Sequence, residues 1–143
     1  MKVAIGCDHA GVDVKKVIVE LLSNKGLSIV DKGPFTNDSV DYPDYGHKVA
    51  EAVSEGEVDF GIVICGSGNG INMTVNKYQK VRGALCWLPE IASLARQHNN
   101  ANIIAIPARF ITTEEVKAII QAFFNTEFEG GRHQNRIDKM HCA

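Results

Sequence analysis

The chain has 143 residues, of which 45% are hydrophobic and 22% are charged, and its formal net charge is −2. This balance is typical of one folded domain, and it excludes a disordered chain and a surface basic enough to attract nucleic acid or an anionic membrane. The strand-like segment after Lys2 does not resemble a signal peptide, and no apolar stretch approaches the length of a bilayer span. With four cysteines and no CxxC pair, we expect reduced thiols in a cytoplasmic protein.

Strand and helix patterns alternate in the first half of the chain. A strand is predicted at residues 2–7, a helix with one apolar stripe at 12–25, and a second strand at 27–33. A helix capped by Asp44 leads to a third strand at 58–65. That strand is apolar on both faces near its end, which is typical of a central strand in a parallel sheet.

The second half continues the alternation. A short helix over about 70–76 precedes a strand at 82–87, and Pro89 suits the first position of the next helix. The fifth strand is predicted at 101–106, and the pattern Thr-x-x-Glu that begins at Thr112 is a capping box for a helix.

This alternation predicts a single α/β domain over residues 1–143. We expect a Rossmann-like three-layer sandwich with a five-stranded parallel sheet, followed by a C-terminal extension at 127–143 that contains a tail helix. In such sheets the ligand lies beyond the carboxyl ends of the strands. The segments to examine are therefore those that follow strands, namely "CDHAG" at 7–11, "CGSGNG" at 65–70 and "CW" at 86–87.

The loop after the third predicted strand combines Cys65 with three glycines in "GSGNG". Free backbone N–H groups at a strand-to-helix turn bind anions, and glycine lets the backbone approach a ligand closely. The same donors would favour a thiolate, which can act as base or nucleophile. The alternative is a flexible turn with a buried cysteine that acts as a small hydrophobic residue.

Other known patterns fit the loop less well. It has neither the Walker sequence nor the third glycine of a dinucleotide fingerprint, and Ile71 stands where a low-molecular-weight phosphatase needs arginine. A zinc site is a further alternative, because three of its four candidate ligands end predicted strands, although their spacing matches no zinc pattern. The candidate ligands are Cys7, His9, Cys65 and Cys86.

Seven segments, in order and spacing, resemble the ribose-5-phosphate isomerase B type of sugar-phosphate isomerases, a family that includes galactose-6-phosphate isomerase subunits. They are "CDHAG" (7–11), "DYPDY" (41–45), "CGSGNGINMTVNK" (65–77), "RGALCW" (82–87), "ARQHNNAN" (95–102), "ARF" (108–110) and "FEGGRHQNRI" (128–137). One such segment would be a weak signal, but the set covers nearly the whole chain.

The resemblance implies an aldose–ketose isomerase that works through an enediolate without a metal or another cofactor. Ribose 5-phosphate and ribulose 5-phosphate, in the pentose phosphate pathway, are the implied pair. Members with a cysteine at position 65 use its thiolate as the base, whereas others have a glutamate at position 71. Because this chain has Cys65 and Ile71, it resembles the cysteine branch.

The resemblance also implies roles for individual residues. The implied catalytic residues are Cys65, Ser67 and His98, the last of which opens the sugar ring. The implied substrate-binding residues are Asp8, His9, Tyr42, Gly66, Gly68, Asn69, Gly70 and Asn99. The implied phosphate-binding residues are His9, Arg109, Arg132 and Arg136. No role is implied for His47, His133 or His141.

In the family the tail arginines reach a neighbouring subunit, so we expect a homodimer or a dimer of dimers with shared active sites. Trp87 and Asn69 depart from residues common in the family, and they leave the choice between five-carbon and six-carbon substrates, such as allose or galactose 6-phosphate, open. The alternative from another class is a flavodoxin-like module that binds a phosphorylated ligand without catalysis, since one fold supports many functions.

Overall fold

The computed structural model describes residues 1–141. The last two positions of the predicted extension, Cys142 and Ala143, lie outside the described residues. The strands are β1 (Lys2–Cys7), β2 (Ser28–Asp31), β3 (Phe60–Cys65), β4 (Gly83–Leu85) and β5 (Ile103–Pro107). The helices are α1 (Val12–Asn24), α2 (Tyr42–Ser54), α3 (Asn69–Val75), α4 (Pro89–Asn99), α5 (Thr113–Phe124) and α6 (Arg132–Asp138). A short 3₁₀ turn, His9–Gly11, separates β1 from α1.

The five strands form one parallel sheet in the order β2-β1-β3-β5-β4. The predicted fold class is therefore confirmed. The chain leaves β1 toward β2 and later returns to the other side of β1, so the strand order reverses between β1 and β3. At this reversal Cys7 pairs with Ile64, which brings the loops after β1 and β3 side by side.

Helices cover both faces of the sheet and make two separate cores. Successive side chains of a strand point to opposite faces, so Ile62 and Ile64 pack with α1, α4 and α5, whereas Val63 and Cys65 pack with α2 and α3. Cys65 therefore lies on the opposite face of the sheet from Cys7 and Cys86, which belong to the first core.

The predicted element boundaries need one correction of substance. The second helix begins at Tyr42, with Asp41 as the preceding cap residue, and not after Asp44. Pro43 explains the earlier start, because its fixed backbone angle suits the first turn of a helix, where the missing N–H group has no partner to lose. Asp44 lies inside that first turn.

The capping box of α5 is confirmed. Thr112 accepts a hydrogen bond from the Glu115 N–H group, and the Glu115 carboxylate accepts one from the Thr112 N–H group. Within residues 1–141, no helix is both long and apolar enough to cross a bilayer.

The tail helix α6 packs against α4 of its own chain. Ile137 and His133 are buried there, whereas Arg132 and Arg136 are exposed. The tail therefore contributes two side chains to its own domain and presents its arginines outward.

Candidate functional site

The Cys65 sulfur lies beneath the glycine loop that joins β3 to α3. The Gly68 N–H group donates a hydrogen bond to Cys65 Sγ at 3.2 Å, and the Asn69 N–H group donates one to Ser67 Oγ at 3.2 Å. Cys65 is 5% exposed. Because the sulfur accepts a hydrogen bond at a strand-to-helix turn, its surroundings suit a sulfur that carries negative charge.

Two glycines of the loop cannot be replaced without moving the neighbouring residues. Gly68 has a φ of 77°, and a Cβ atom there would lie 2.5 Å from Leu85 Cδ1. A Cβ atom at Gly70 would lie 2.5 Å from the Tyr42 ring. The absence of side chains therefore lets β4 and the start of α2 approach the loop closely, and it places Tyr42 at the site.

Arg109 lies against the same loop from the end of β5. Its N–H group donates to the Gly66 carbonyl at 3.0 Å, and a Cβ atom at Gly66 would lie 3.1 Å from the Arg109 guanidinium. A guanidinium beside a loop rich in N–H donors makes a favourable place for a phosphate group.

Asp8 and His9 complete this edge of the sheet. Asp8 is 8% exposed, and its carboxylate accepts a hydrogen bond from the Ala10 N–H group at 2.9 Å. His9 is exposed, and its Nδ1 accepts from the Val40 N–H group at 3.3 Å. The structure thus brings together the predicted residues of the carboxyl edge: Asp8, His9, Tyr42, Cys65, Gly66, Ser67, Gly68, Asn69, Gly70 and Arg109.

The remaining predicted residues lie at the opposite edge of the sheet. The Asn99 carbonyl accepts a hydrogen bond from Arg82, which comes just before β4, whereas Cys65 pairs with Pro107 at the end of β5. The length of a five-residue strand, about 15 Å, separates the carboxyl edge of the sheet from its amino edge. Within one chain, His98 therefore lies away from the Cys65 loop, because a helix that follows a parallel strand runs back and ends at the amino edge of the sheet.

His98 has neighbours that the sequence analysis did not include in the site. Its ring stacks on that of His133, with centroids 4.3 Å apart and planes at 12°. His133 Nε2 lies 3.4 Å from Glu129 Oε2. Glu129 precedes α6 and is separated from His133 by two glycines with positive φ, so no helical spacing in the sequence marked this pair.

Within the described part of the chain, these three side chains make the one group whose donor atoms could hold a metal ion. The zinc site considered from Cys7, His9, Cys65 and Cys86 does not form, because Cys65 lies on the other face of the sheet.

Cys7 and Cys86 are poorly suited to catalysis. Both are fully buried, and burial raises the pKa of each thiol to about 12. Of the three cysteines in residues 1–141, Cys65 alone has a backbone N–H group that donates to its sulfur.

A groove of about 680 Å³ runs along the exposed edge of β4. Its lining includes Arg82 and Gly83 at the amino end of β4, with Asn99, Met140 and His141. The groove therefore adjoins the amino-edge residues, and it does not include the Cys65 loop.

Comparisons with known proteins connect these observations to one family. The family model described as ribose/galactose isomerase matches residues 3–140. Ribose-5-phosphate isomerase B of Escherichia coli is 44% identical over 97% of this chain and 93% of its own length. The solved ribose-5-phosphate isomerase B of Clostridium thermocellum superposes with a TM-score of 0.97 at 44% identity, and it covers 98% of this chain and 95% of its own.

A further solved structure carries a ligand. It is the ribose-5-phosphate isomerase B of Mycoplasma genitalium with bound ribulose 5-phosphate, which has a TM-score of 0.95 and 44% identity over 97% of this chain and 93% of its own. Identity of 44% over nearly the full length of both chains, together with the family match, indicates more than a shared fold. This chain belongs to the ribose/galactose isomerase family.

Proposed function

We propose that the protein is an aldose–ketose isomerase that interconverts ribose 5-phosphate and ribulose 5-phosphate in cytoplasmic carbohydrate metabolism. The names of its relatives and the ribulose 5-phosphate bound to one of them support this substrate. The observation that carries the chemistry is the hydrogen bond from the Gly68 N–H group to Cys65 Sγ, with Arg109 packed against the same loop.

In the proposed reaction, the Cys65 thiolate removes the proton from C2 of the open-chain aldose. The electrons of the broken C–H bond form the double bond of an enediolate, whose negative oxygen binds the loop N–H groups. The proposed role of the Ser67 hydroxyl is to hydrogen-bond near the thiol. Return of the proton to C1, together with movement of the hydroxyl proton from O2 to O1, gives the ketose. Every step is a proton transfer, so no metal or organic cofactor takes part.

The proposed site needs a second copy of the chain. Cys65 and Arg109 lie at one edge of the sheet, whereas His98, Asn99, Arg132 and Arg136 lie at or near the other edge. In a two-fold dimer, the carboxyl edge of one copy can meet the amino edge of its partner twice. His98 of one copy would then open the sugar ring, and its arginines would bind phosphate, at the Cys65 loop of the other.

The test is a substrate panel with purified protein and with the Cys65→Ser variant. Ribose, allose and galactose phosphates are supplied, and ketose formation is followed. We expect ribose 5-phosphate to be converted fastest, and the variant to lose about three orders of magnitude or more in turnover while keeping its fold, because a hydroxyl is too weak an acid to replace the thiol.

Each of the other possible outcomes would change one part of the proposal. Preference for a six-carbon phosphate would change the substrate and point to Trp87 and Asn69, which flank the loop region. Near-normal turnover by Cys65→Ser would remove the thiolate mechanism. Binding of sugar phosphates without any turnover would favour a binding module in place of an enzyme.

A further inference from the structure

The cluster of His98, Glu129 and His133 joins the end of α4 to the start of the tail. The Glu129 N–H group donates to the Gln97 carbonyl at 3.1 Å, which fixes the segment before α6 against the last turn of α4. One donor atom from each of the three side chains lies within 4.8 Å of the other two. Two imidazoles and a carboxylate are a donor set that zinc accepts in proteins.

His133 provides an independent observation. It is 5% exposed, and its Nε2 atom is buried without a hydrogen-bond partner. The nearby Glu129 Oε2, at 3.4 Å, is close enough for an ion pair, but no hydrogen bond joins the two atoms. A buried nitrogen without a partner is unfavourable, and coordination of a cation between it and the carboxylate would satisfy both groups.

We propose that His98, Glu129 and His133 bind a divalent transition-metal ion of the zinc type, and that this ion inhibits the enzyme. Two ligands on one zinc ion, each at about 2.1 Å, can be at most about 4.2 Å apart. The 3.4 Å between His133 Nε2 and Glu129 Oε2 meets this limit, and the separations within the cluster do not exceed 4.8 Å, so little movement is needed. The stacked rings must tilt, because parallel rings direct their lone pairs past a common point. His98 is only half-buried at a helix end, which leaves it room to turn.

Inhibition follows from the position of His98, and this half of the inference rests on the proposed function. A metal-bound imidazole has no free nitrogen lone pair at the bound atom, so it cannot exchange a proton there with the sugar ring. The metal therefore takes no part in turnover, and its removal restores the ring-opening residue.

The binding test uses the full chain after treatment with a chelator. Zn²⁺ alone is titrated by calorimetry, and Co²⁺ reports ligand geometry through its visible absorption. Glu129→Gln removes an exposed ligand, and His133→Phe keeps a flat ring to stack on His98. We expect each to weaken Zn²⁺ binding at least about tenfold.

Matched controls separate this site from other zinc ligands. Glu127→Gln changes an exposed carboxylate two residues away, His47→Asn removes an exposed histidine, and Cys65→Ser removes the loop thiol. We expect these three to bind Zn²⁺ as the unchanged protein does. Equal affinity in the site variants and the controls, or no binding at all, would overturn the proposed site whatever the enzyme's activity.

The second arm measures isomerisation. We expect Zn²⁺ to inhibit the unchanged protein, a chelator to reverse this, and Glu129→Gln to need at least about tenfold more Zn²⁺ for the same inhibition. Equal inhibition of the variant would place the inhibitory ion elsewhere and overturn the regulatory half. Should the protein prove not to be an isomerase, the calorimetric arm still decides whether the metal site exists.

Discussion

Cys65 differs from Cys7 and Cys86 in what surrounds its sulfur atom. All three lie at or near the ends of predicted strands, so the strand pattern alone could not separate a reactive thiol from a buried one. The structure separates them by face and by hydrogen bonding, since Cys65 packs with α2 and α3 and accepts from the Gly68 N–H group. The glycines after Cys65 were the one sequence feature that distinguished it.

This difference predicts selective alkylation. In a Cys142→Ser background, iodoacetamide at neutral pH should modify Cys65 long before Cys7 or Cys86. The reagent attacks thiolates, and a thiol with a pKa of about 12 is almost entirely protonated. Mass mapping of peptides over time gives the order, and unfolded protein is the control in which all three should react alike. Early modification of Cys7 or Cys86 in folded protein would contradict the assignment.

Gly68 allows a second prediction at the residue scale. Gly68→Ala should be less stable than Gly56→Ala, although both glycines have a φ of 77°. The positive φ costs about 1–2 kcal/mol in either variant. The new methyl group at position 68 also meets Leu85, which adds about 1–3 kcal/mol of overpacking, whereas nothing lies within 4 Å at position 56. Denaturant unfolding measures both, and equal losses would mean that the loop can move away from β4.

At the scale of elements, the alternating pattern predicted every strand and the sheet's parallel direction, but not the strand order. Alternation is compatible with β5 at an edge, yet β5 lies between β3 and β4. The alternation was also enough to place His98 at the amino edge, because a helix after a parallel strand must end there. The contribution of a second copy could not be derived from this pattern, because only the family resemblance implied that His98 and Cys65 belong to one site.

The capping box of α5 allows a prediction about pH. Hydrogen bonds from the backbone and side chain of Thr112 lower the pKa of Glu115 below its ordinary 4.5. A lowered folded value means that the carboxylate stabilises the fold at pH values above about 4.5, and that this contribution is lost as pH falls through the lowered value. Glu115→Gln should therefore lower Tm at neutral pH and converge with the unchanged protein in acid.

Glu114→Gln is the matched control, because Glu114 is exposed in the same turn and takes no part in the box. Its Tm should follow that of the unchanged protein more closely at neutral pH. Thr112→Ala removes the other half of the box and should cost about 1 kcal/mol of unfolding free energy. A Glu115→Gln variant as stable as Glu114→Gln at neutral pH would show that the box contributes nothing.

At the scale of the whole molecule, large apolar side chains are exposed near the carboxyl edge. The exposed fractions are 46% for Leu88, 48% for Trp87 and 74% for Phe110, which follow the ends of β4 and β5. Exposed apolar surface of this kind often marks a protein interface. It lies on the side of the molecule where the proposed site lacks its ring-opening histidine and two of its arginines, which favours a second copy as the partner.

Mixing inactive variants tests this arrangement. Cys65→Ser carries its change at the carboxyl edge and Arg136→Ala at the amino edge, so a mixed dimer has one site with both residues intact. Random exchange makes half of the dimers mixed, and half of their sites work, so activity should return to about a quarter of the unchanged level. Cys65→Ser mixed with Arg109→Ala is the control, because both changes lie at the same edge and no site in the mixed dimer is intact. Recovery in the control, or none with Arg136→Ala after proven exchange, would show that the two edges do not meet across the dimer.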